Sequence, residues 1–272
     1  MTASYQRAMN DTTVSAVFEG IHNFRDFGGY AAAGGGRVRT GRLYRSAHYA
    51  TATDADLERF AALGMAAIVD LRRPAERTRF PTRRSPACRA RVISYGQPSD
   101  EVEPPHLGTL AEPGLTTQTI TARMIEVYRD LAHEPGHLQV FADAFAALAE
   151  ADGPIVVHCH AGKDRTGLIA AFIHHALGVS EADIYADYMR TNTASRIEER
   201  LPELARIFRE LNGADAPLDL LRHVYRVEED YLATAYRAIA ERDGSLDAYL
   251  ENRLDVTPAL RARLRERLIE RP

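Results

Sequence analysis

The residues with the clearest chemical meaning lie between Cys159 and Thr166. Five residues separate the cysteine from Arg165, and Thr166 follows directly. A cysteine thiolate is a strong nucleophile, and a guanidinium group offers a planar fork of donors that matches phosphate oxygens. This spacing predicts the hydrolysis of phosphate esters, with Cys159 attacking phosphorus to form a cysteinyl-phosphate and Arg165 binding the phosphate.

The residues on both sides of the cysteine indicate what holds it in place. Residues 155–157 are apolar and predict a buried strand, whereas the apolar run 168–176 predicts a helix that begins near Thr166. A loop between such a strand and such a helix directs N–H groups into one concavity at the positive end of the helix dipole. The loop residues predicted to bind the phosphate are His160, Ala161, Gly162, Lys163, Thr166 and Gly167.

Several of these residues have more specific predicted roles. Gly162 and Gly167 lack a Cβ, so they allow positive φ angles and a close approach of the backbone to the phosphate. Thr166 is expected to donate its hydroxyl to the nucleophilic sulfur, and His158 to fix the loop by a hydrogen bond. Lys163 is the only lysine in the chain, which indicates that a compact point charge is needed there.

Two other interpretations of the motif are an ordinary buried cysteine and a metal site built from His158, Cys159 and His160. Adjacent residues of a strand point to opposite faces, and no second Cys/His pair stands at the spacing of a zinc finger. The strand, cysteine, glycine, arginine and Thr-Gly all occur together, which favours a nucleophile. We therefore expect neither a metal nor a cofactor.

The composition is that of an ordinary soluble protein. The chain has 272 residues, and its formal net charge of −4 argues against a nucleic-acid binder. Its two cysteines cannot form a disulfide framework, and Cys88 is expected to be a buried or bystander thiol, with a regulatory disulfide to Cys159 as the alternative. Residues 1–10 lack the apolar region of a secretory signal, and no apolar run reaches the ~18 residues that span a bilayer. We expect a cytoplasmic protein without an integral membrane segment, although export without such a signal stays open.

Predicted strands alternate with predicted helices through the first two thirds of the chain. The strands are expected at residues 43–46, 66–71, 91–95 and 154–158, and the helices at 54–63, 119–132, 137–150 and 166–177. This alternation predicts one α/β domain over residues 1–272, with a mainly parallel central sheet flanked by helices. Residues 1–17 are expected to form a mobile arm, and the chain after residue 180 is expected to be almost wholly helical.

The cysteine motif, residues 158–167, resembles the signature of cysteine-based protein tyrosine phosphatases. Its form is similar to that of bacterial tyrosine/serine phosphatases of the mycobacterial phosphatase B type. Other segments resemble the same branch. Residues 23–30 and 41–47 are similar to its amino-terminal signature, and residues 68–72 with Glu76 are similar to its Asp-Leu-Arg strand. Residues 244–250 are similar to its carboxy-terminal helix. The resemblance implies the cysteine phosphatase fold and makes residues of about 180–240 a candidate lid, with core packing as the alternative.

Hydrolysis of a tyrosine phosphate needs an acid that protonates the leaving oxygen. The chain has no tryptophan, so the Trp-Pro-Asp loop of many tyrosine phosphatases is absent in its usual form. The resemblance favours Asp164 as this acid, and Asp70 is the alternative, whose other role would be to pair with Arg72. The residues expected to brace the cysteine loop are Arg25, Asp26 and Arg45.

The expected substrates are phosphotyrosine and, beyond it, phosphoserine or phosphothreonine in a phosphoprotein. Lys163 followed by Asp164 is similar to the loops of tensin-type lipid phosphatases and myotubularins, so a phosphoinositide is the alternative substrate. Two further alternatives are a module that binds phosphate without turnover and a rhodanese-like sulfurtransferase, because rhodanese loops also place a cysteine in an anion site.

Overall fold

Parallel strands form the centre of the protein, for which a computed structural model describes residues 18–95, 115–213 and 215–271. The predicted arm over residues 1–17 lies outside this range. The described strands are β1 (Arg25–Asp26), β2 (Arg37–Val38), β3 (Leu43–Ser46), β4 (Ala67–Asp70), β5 (Arg91–Ser94), β6 (Ile155–His158) and β7 (Ile269–Glu270).

Among the described residues, five strands make the central sheet in the order β1-β3-β6-β4-β5. The strands β3, β6, β4 and β5 run parallel, whereas β1 pairs with β3 in the antiparallel sense. In this register His158 lies opposite both Ser46 and Asp70. The carboxyl ends of three neighbouring strands therefore meet at one edge of the sheet, where ligands bind in open α/β sheets.

Helices surround this sheet and make up the carboxy-terminal region. They are α1 (Asp54–Ala62), α2 (Pro74–Arg79), α3 (Thr117–Leu131), α4 (Pro135–Glu150), α5 (Asp164–Leu177), α6 (Glu181–Met189), α7 (Thr191–Ala194), α8 (Ile197–Asn212), α9 (Leu218–Tyr225), α10 (Glu229–Asp243), α11 (Leu246–Leu254) and α12 (Pro258–Leu268). The predicted fold class, a mainly parallel sheet flanked by helices with a helical carboxy-terminal region, is confirmed.

The two faces of the sheet pack against different helices. In β6, Ile155 and Val157 belong to a large apolar cluster with residues of α4 and α5, whereas Val156 belongs to a second cluster with Phe60 of α1. Successive side chains of a strand point to opposite faces, so a wholly apolar strand must be covered on both sides. This burial holds β6, and the residues that follow it, in a fixed place.

The helix α5 begins at Asp164, two residues before the predicted start near Thr166. A negative side chain is stabilised in the first turn of a helix, because the helix dipole is positive there. Asp164 and Arg165 therefore lie on the helix rather than in the loop. In the described part of the chain, no helix is both long enough and apolar enough to cross a membrane.

Candidate active site

The structure brings the predicted cysteine loop to the edge where β3, β4 and β6 end. The loop runs from Cys159 to Lys163, directly between β6 and α5. Cys159 is buried, with 2% of its surface exposed, and Arg165 in the first turn of α5 is 9% exposed. The nucleophile candidate and its arginine thus lie below the surface, at the positive end of a helix dipole.

Hydrogen bonds from the surrounding framework hold the carbonyl oxygens of the loop. The backbone N–H of His48 donates to the His160 carbonyl at 3.1 Å. The side-chain amide of Asn23 donates to the carbonyls of Ala161 and Gly162 at 3.3 and 2.8 Å. In a trans peptide the N–H points away from the preceding carbonyl. The N–H groups that follow these carbonyls are therefore turned to the opposite side, as an anion site requires.

The two glycines of the motif are needed for different reasons. Gly162 has a φ of +70°, and a Cβ there would lie 2.4 Å from the Ser46 carbonyl oxygen. Gly167 lies on α5, where a Cβ would come within 2.8 Å of the Tyr188 ring. The positive φ predicted for both residues is thus confirmed for Gly162 only. Gly167 instead gives room for an aromatic ring that packs against the helix.

The guanidinium group of Arg165 is held by a carboxylate from α2. Its two terminal nitrogens donate to the two oxygens of Glu76 at 2.5 and 2.7 Å, and one of them also donates to the Leu71 carbonyl at 3.0 Å. Burial alone would raise the pKa of Glu76, but Arg165 lowers it to about 2. Burial would lower the pKa of Arg165, but Glu76 and then Cys159 raise it well above its ordinary value. The pair therefore stays ionised, and Arg165 is fixed in orientation.

The carboxylate of Asp164 contacts a buried tyrosine. The hydroxyl of Tyr128, from α3, donates to Asp164 Oδ1 at 2.8 Å and lies 2.8 Å from the Tyr188 hydroxyl of α6. The Lys163 ammonium is 3.4 Å from the same Oδ1. Asp164 thus has one oxygen held by the protein at the mouth of the loop.

Lys163, predicted to bind substrate, points to the end of α9. Its Nζ is buried and donates to the carbonyls of Val224 and Arg226 at 2.5 and 3.3 Å. The carbonyls at the end of a helix carry the negative end of its dipole, so they attract a buried ammonium group. In this structure the lysine joins the cysteine loop to α9, and its predicted contact with substrate stays a prediction.

The alternative acid, Asp70, is paired on both oxygens. Arg72 donates to its Oδ1 and Oδ2 at 2.8 and 2.7 Å, and Asp70 is 4% exposed. Burial would raise the pKa of Asp70, but His158 and Arg72 lower it to about 2. Because Asp70 stays ionised and both of its oxygens accept hydrogen bonds, it holds no proton for transfer at neutral pH.

Arg25 and Arg45, expected to brace the loop, meet at Asp187 of α6. Arg45 donates to the Asp187 carboxylate at 2.7 Å and to the Gly162 carbonyl at 3.3 Å. Arg25 lies 3.6 Å from the same carboxylate and donates to the Asn23 side chain, which itself binds the loop. Burial would raise the pKa of Asp187, but Arg25 and Arg45 hold it well below its usual range. These contacts place both arginines behind the loop.

Three other predicted residues have distinct surroundings. Asp26 accepts hydrogen bonds from the N–H groups of Gly28 and Gly41, so it joins the residues that follow β1 to those that precede β3. His158 is buried, with Nδ1 3.3 Å from the Cys159 carbonyl. The Thr166 hydroxyl is buried and has no hydrogen-bond partner among the described residues, so the predicted bond to the sulfur is not formed here.

A cleft opens next to the loop at His160 and Ala161. His48, His160 and Phe80 are in ring contact along one side, with centroids 4.7 to 5.4 Å apart. The other lining residues are His22, Ala47, Thr51, Arg200, Glu203, Leu204, Ile207 and Tyr225, the last five from α8 and α9. Burial and then His160 hold the pKa of His48 well below its usual value, so its imidazole is uncharged at neutral pH.

Sequence reasoning missed five residues that complete this site. Asp187, Tyr128 and Tyr188 come from helices far along the chain, where their periodic positions give no sign of a partner. Glu76 and Asn23 lie within the segments that resemble the phosphatase branch, but the resemblance did not predict a role for either residue. Among the described residues, no group of three or more His, Cys, Asp or Glu side chains could hold a metal ion.

Comparisons with known proteins relate the chain to tyrosine phosphatases. A family model described as the tyrosine phosphatase family matches residues 16–270. A Cupriavidus necator protein named as a tyrosine-protein phosphatase is 38% identical over 251 residues, which cover 89% of this chain and 85% of that protein. The triple specificity protein phosphatase PtpB of Mycobacterium tuberculosis is 30% identical over 257 residues, which cover 86% of this chain and 91% of that protein.

Proposed function

Because the chain belongs to the tyrosine phosphatase family and is a protein-tyrosine phosphatase, we propose that Cys159 is its nucleophile. The Cys159 sulfur attacks phosphorus, the bond from phosphorus to the leaving oxygen breaks, and a cysteinyl-phosphate forms. Water then hydrolyses this intermediate and restores the thiolate. The single observation that carries this proposal is the buried position of Cys159 between β6 and the start of α5, beside Arg165.

Arg165 and the loop N–H groups are proposed to bind the phosphate oxygens. The contact with Glu76 keeps the Arg165 guanidinium in place before substrate arrives, so little reorganisation is needed in the transition state. Thr166 has a buried hydroxyl without a partner, which costs about 1–3 kcal/mol. The bond from this hydroxyl to the Cys159 sulfur is not formed in the structure described here, and we propose that it forms when the intermediate is hydrolysed and the sulfur leaves as a thiolate.

Asp164 is proposed to protonate the leaving oxygen. Its carboxyl lies in the first turn of α5, one residue from Arg165, and one of its oxygens has no protein donor among the described residues. Asp70 is less suited, because Arg72 engages both of its oxygens. In the first step a proton moves from Asp164 to the leaving oxygen, and in the second step Asp164 takes a proton from the attacking water.

Phosphotyrosine is proposed as the main substrate. The cleft that begins at His160 is walled by flat rings, and the uncharged imidazole of His48 and the ring of Phe80 suit the face of an aromatic leaving group. A phosphoserine side chain would leave these rings without contact. The phosphoinositide alternative was based on Lys163, whose Nζ is occupied by carbonyls of the chain around α9, and we therefore rank a lipid substrate second.

The test compares the wild type with Cys159→Ser on a phosphotyrosine peptide, the phosphoserine peptide of the same sequence and phosphoinositide vesicles. We expect phosphate release by the wild type to be fastest from the phosphotyrosine peptide. Cys159→Ser should bind this peptide but release no phosphate, and Cys88→Ser, the matched control, should keep wild-type turnover. Turnover by Cys159→Ser, or sulfur transfer from thiosulfate without phosphate release by the wild type, would contradict the proposal.

The region of residues 180–240 is proposed to include a movable lid formed by α8 and α9. Leu204, Ile207 and Tyr225 from these helices line the cleft together with His160, so movement of the helices would change access to it. Hydrogen exchange with and without vanadate measures this motion. We expect faster exchange in α8 and α9 than in α5 for the free enzyme, and protection when vanadate binds, whereas equal exchange in all three helices would exclude a lid.

A cytoplasmic location is proposed as well. Cys88 and Cys159 are both free thiols, and the nucleophile must stay reduced to act. The cytoplasm keeps thiols reduced, whereas extracellular compartments favour their oxidation. Fractionation of cells that express the full chain should recover it with cytoplasmic markers, and recovery from the medium without cell lysis would contradict this proposal.

A further inference from the structure

We infer that Tyr128 is a positioning residue for the proton donor of this enzyme. Its hydroxyl holds Asp164 through Oδ1, so that Oδ2 is the oxygen that carries the transferred proton. This inference rests on the proposed role of Asp164 as the acid. Tyr128 itself neither gains nor loses a proton in the reaction.

The contacts of the Asp164 carboxyl are one-sided. Tyr128 donates to Oδ1 at 2.8 Å, and the Lys163 ammonium is 3.4 Å from the same atom. No donor among the described residues reaches Oδ2. A carboxyl group protonated on Oδ2 keeps its Tyr128 hydrogen bond, because Oδ1 still accepts. The same contact is therefore available before and after proton transfer.

A second tyrosine fixes the direction of this hydrogen bond. A phenol has one proton, and Tyr128 gives it to Asp164, so at the 2.8 Å contact between the two hydroxyls Tyr188 must be the donor. Burial and then the negative charge of Asp164 raise the pKa of Tyr128 and of Tyr188 well above the usual value. Both phenols stay protonated throughout the working pH range and form a chain that ends at Oδ1.

The rings of these two tyrosines are held in place by close packing. Tyr128 and Tyr188 are 0% and 1% exposed, and the Tyr188 ring packs against Gly167 on α5. The ring of Tyr231, from α10, lies 5.4 Å from that of Tyr128. The hydroxyl of Tyr128 is therefore held in a fixed position next to the first turn of α5, which begins at Asp164.

The role predicts a specific kinetic signature. A leaving group of high pKa, such as phenol, needs the proton from Asp164 in the transition state, whereas para-nitrophenol leaves with much less help. Loss of the Tyr128 hydroxyl should therefore slow the first step with phenyl phosphate and leave the first step with para-nitrophenyl phosphate nearly unchanged. A merely structural role of Tyr128 would reduce both rates by the same factor.

The experiment measures kcat/KM, which reports on formation of the cysteinyl-phosphate and not on its hydrolysis, for both esters in the wild type and in Tyr128→Phe, Tyr188→Phe, Tyr231→Phe and Asp164→Asn. For Tyr128→Phe we expect roughly a 10-fold loss on phenyl phosphate, the size of a lost hydrogen bond to a charged group, and less than roughly 3-fold on para-nitrophenyl phosphate. Tyr188→Phe should also lose more activity on phenyl phosphate than on para-nitrophenyl phosphate, but by a smaller factor. Tyr231→Phe, the matched control from the same cluster of rings, should show no selectivity.

Asp164→Asn separates failure of the inference from failure of the proposed acid. If Asp164→Asn is selective against phenyl phosphate but Tyr128→Phe behaves like the wild type, or loses both activities equally, Tyr128 does not position the acid and the proposed function stands. If Asp164→Asn shows no selectivity, Asp164 is not the acid and the inference is overturned with it. Selective losses in both variants support the inference, and circular dichroism confirms that each variant is folded.

Discussion

Two groups of arginine and carboxylate flank the cysteine loop, and they differ in what they hold. In the first, here called the front pair, Arg165 is bound by Glu76, with side chains 11% and 10% exposed. In the second, the rear cluster, Arg25 and Arg45 share Asp187, with side chains 0 to 3% exposed. The front pair contacts no carbonyl of the loop in the described structure, whereas Arg45 of the rear cluster binds the Gly162 carbonyl.

This difference separates binding of substrate from support of the loop. The front pair presents a guanidinium group that is oriented but still reachable, which suits the binding of a phosphate. The rear cluster is almost wholly shielded from solvent, so its charges interact with each other and with nearby groups of the protein, including the backbone of the loop. Removal of one partner from a buried pair leaves an uncompensated charge, which costs more than the pair contributes. Substitutions in the two groups should therefore affect different properties.

The largest expected effect is on turnover, from Arg165→Lys in the front pair. A lysine keeps the charge but not the planar fork, so kcat/KM should fall roughly 10³-fold, the range seen when a transition-state donor is removed. Arg45→Lys is the matched control in the rear cluster and should lower the melting temperature more and turnover less. If the two variants lose turnover equally, the distinction between front and rear is wrong.

Next in size is a loss of stability from Asp187→Asn in the rear cluster. Arg25 and Arg45 would then be buried without a counter-charge, and we expect the free energy of unfolding to fall by about 3 kcal/mol. Urea denaturation measures this change. Glu210→Gln breaks the exposed pair with Arg206, whose side chains are 59% and 60% exposed, and should cost less than about 1 kcal/mol. Equal losses in the two variants would contradict a special role for the buried cluster.

Acid should weaken the front pair in a defined pH range. In the unfolded chain, a glutamate has a pKa of about 4.3. In the folded state, burial would raise the pKa of Glu76, but Arg165 outweighs burial and lowers it to about 2. Because the folded pKa is depressed, the stability that Glu76 contributes is complete above about pH 5 and is lost as the pH falls toward 2. Glu76→Gln should therefore reduce the fall in unfolding free energy over this range by roughly 2 kcal/mol. An unchanged slope would show that the pair is not ionised as described.

The smallest expected effect belongs to Lys163, which lies between the two groups. Lys163→Met removes the hydrogen bonds to the carbonyls of Val224 and Arg226 and should lower the free energy of unfolding by about 1 kcal/mol. Hydrogen exchange should rise in α9 but not in α5. If exchange in α9 is unchanged while KM for a phosphotyrosine peptide rises, the lysine binds substrate rather than the helix.

In both groups the sequence predicted the arginines, whereas it missed their carboxylate partners Glu76 and Asp187. Cys159 and Arg165 are neighbours along the chain, and the apolar runs around them specify β6 and α5, so local patterns were sufficient. Strand and helix positions were correct to within two residues, as for β3 and for the helix predicted at 54–63. Asp187 and Tyr128 were not found, because a single Asp or Tyr on an amphipathic helix has the same pattern whether it faces solvent or a buried arginine.

The role of Lys163 shows a different limit of sequence reasoning. A lone lysine in an anion loop indicates a local ligand, but its side chain is long enough to reach another element. Only the packing of α9 against the loop decides that its Nζ meets two backbone carbonyls. Contacts of this kind depend on tertiary structure and leave no periodic signal in the chain.

The most direct test is to trap the covalent intermediate. The wild type would be mixed with a phosphotyrosine peptide labelled with radioactive phosphate, quenched within milliseconds and digested for mass spectrometry. We predict one phosphate on the peptide that contains Cys159, at a level that rises and decays with turnover, and none in Cys159→Ser. Phosphate on another residue, or full turnover without any labelled protein, would contradict the central claim that this cysteine attacks phosphorus.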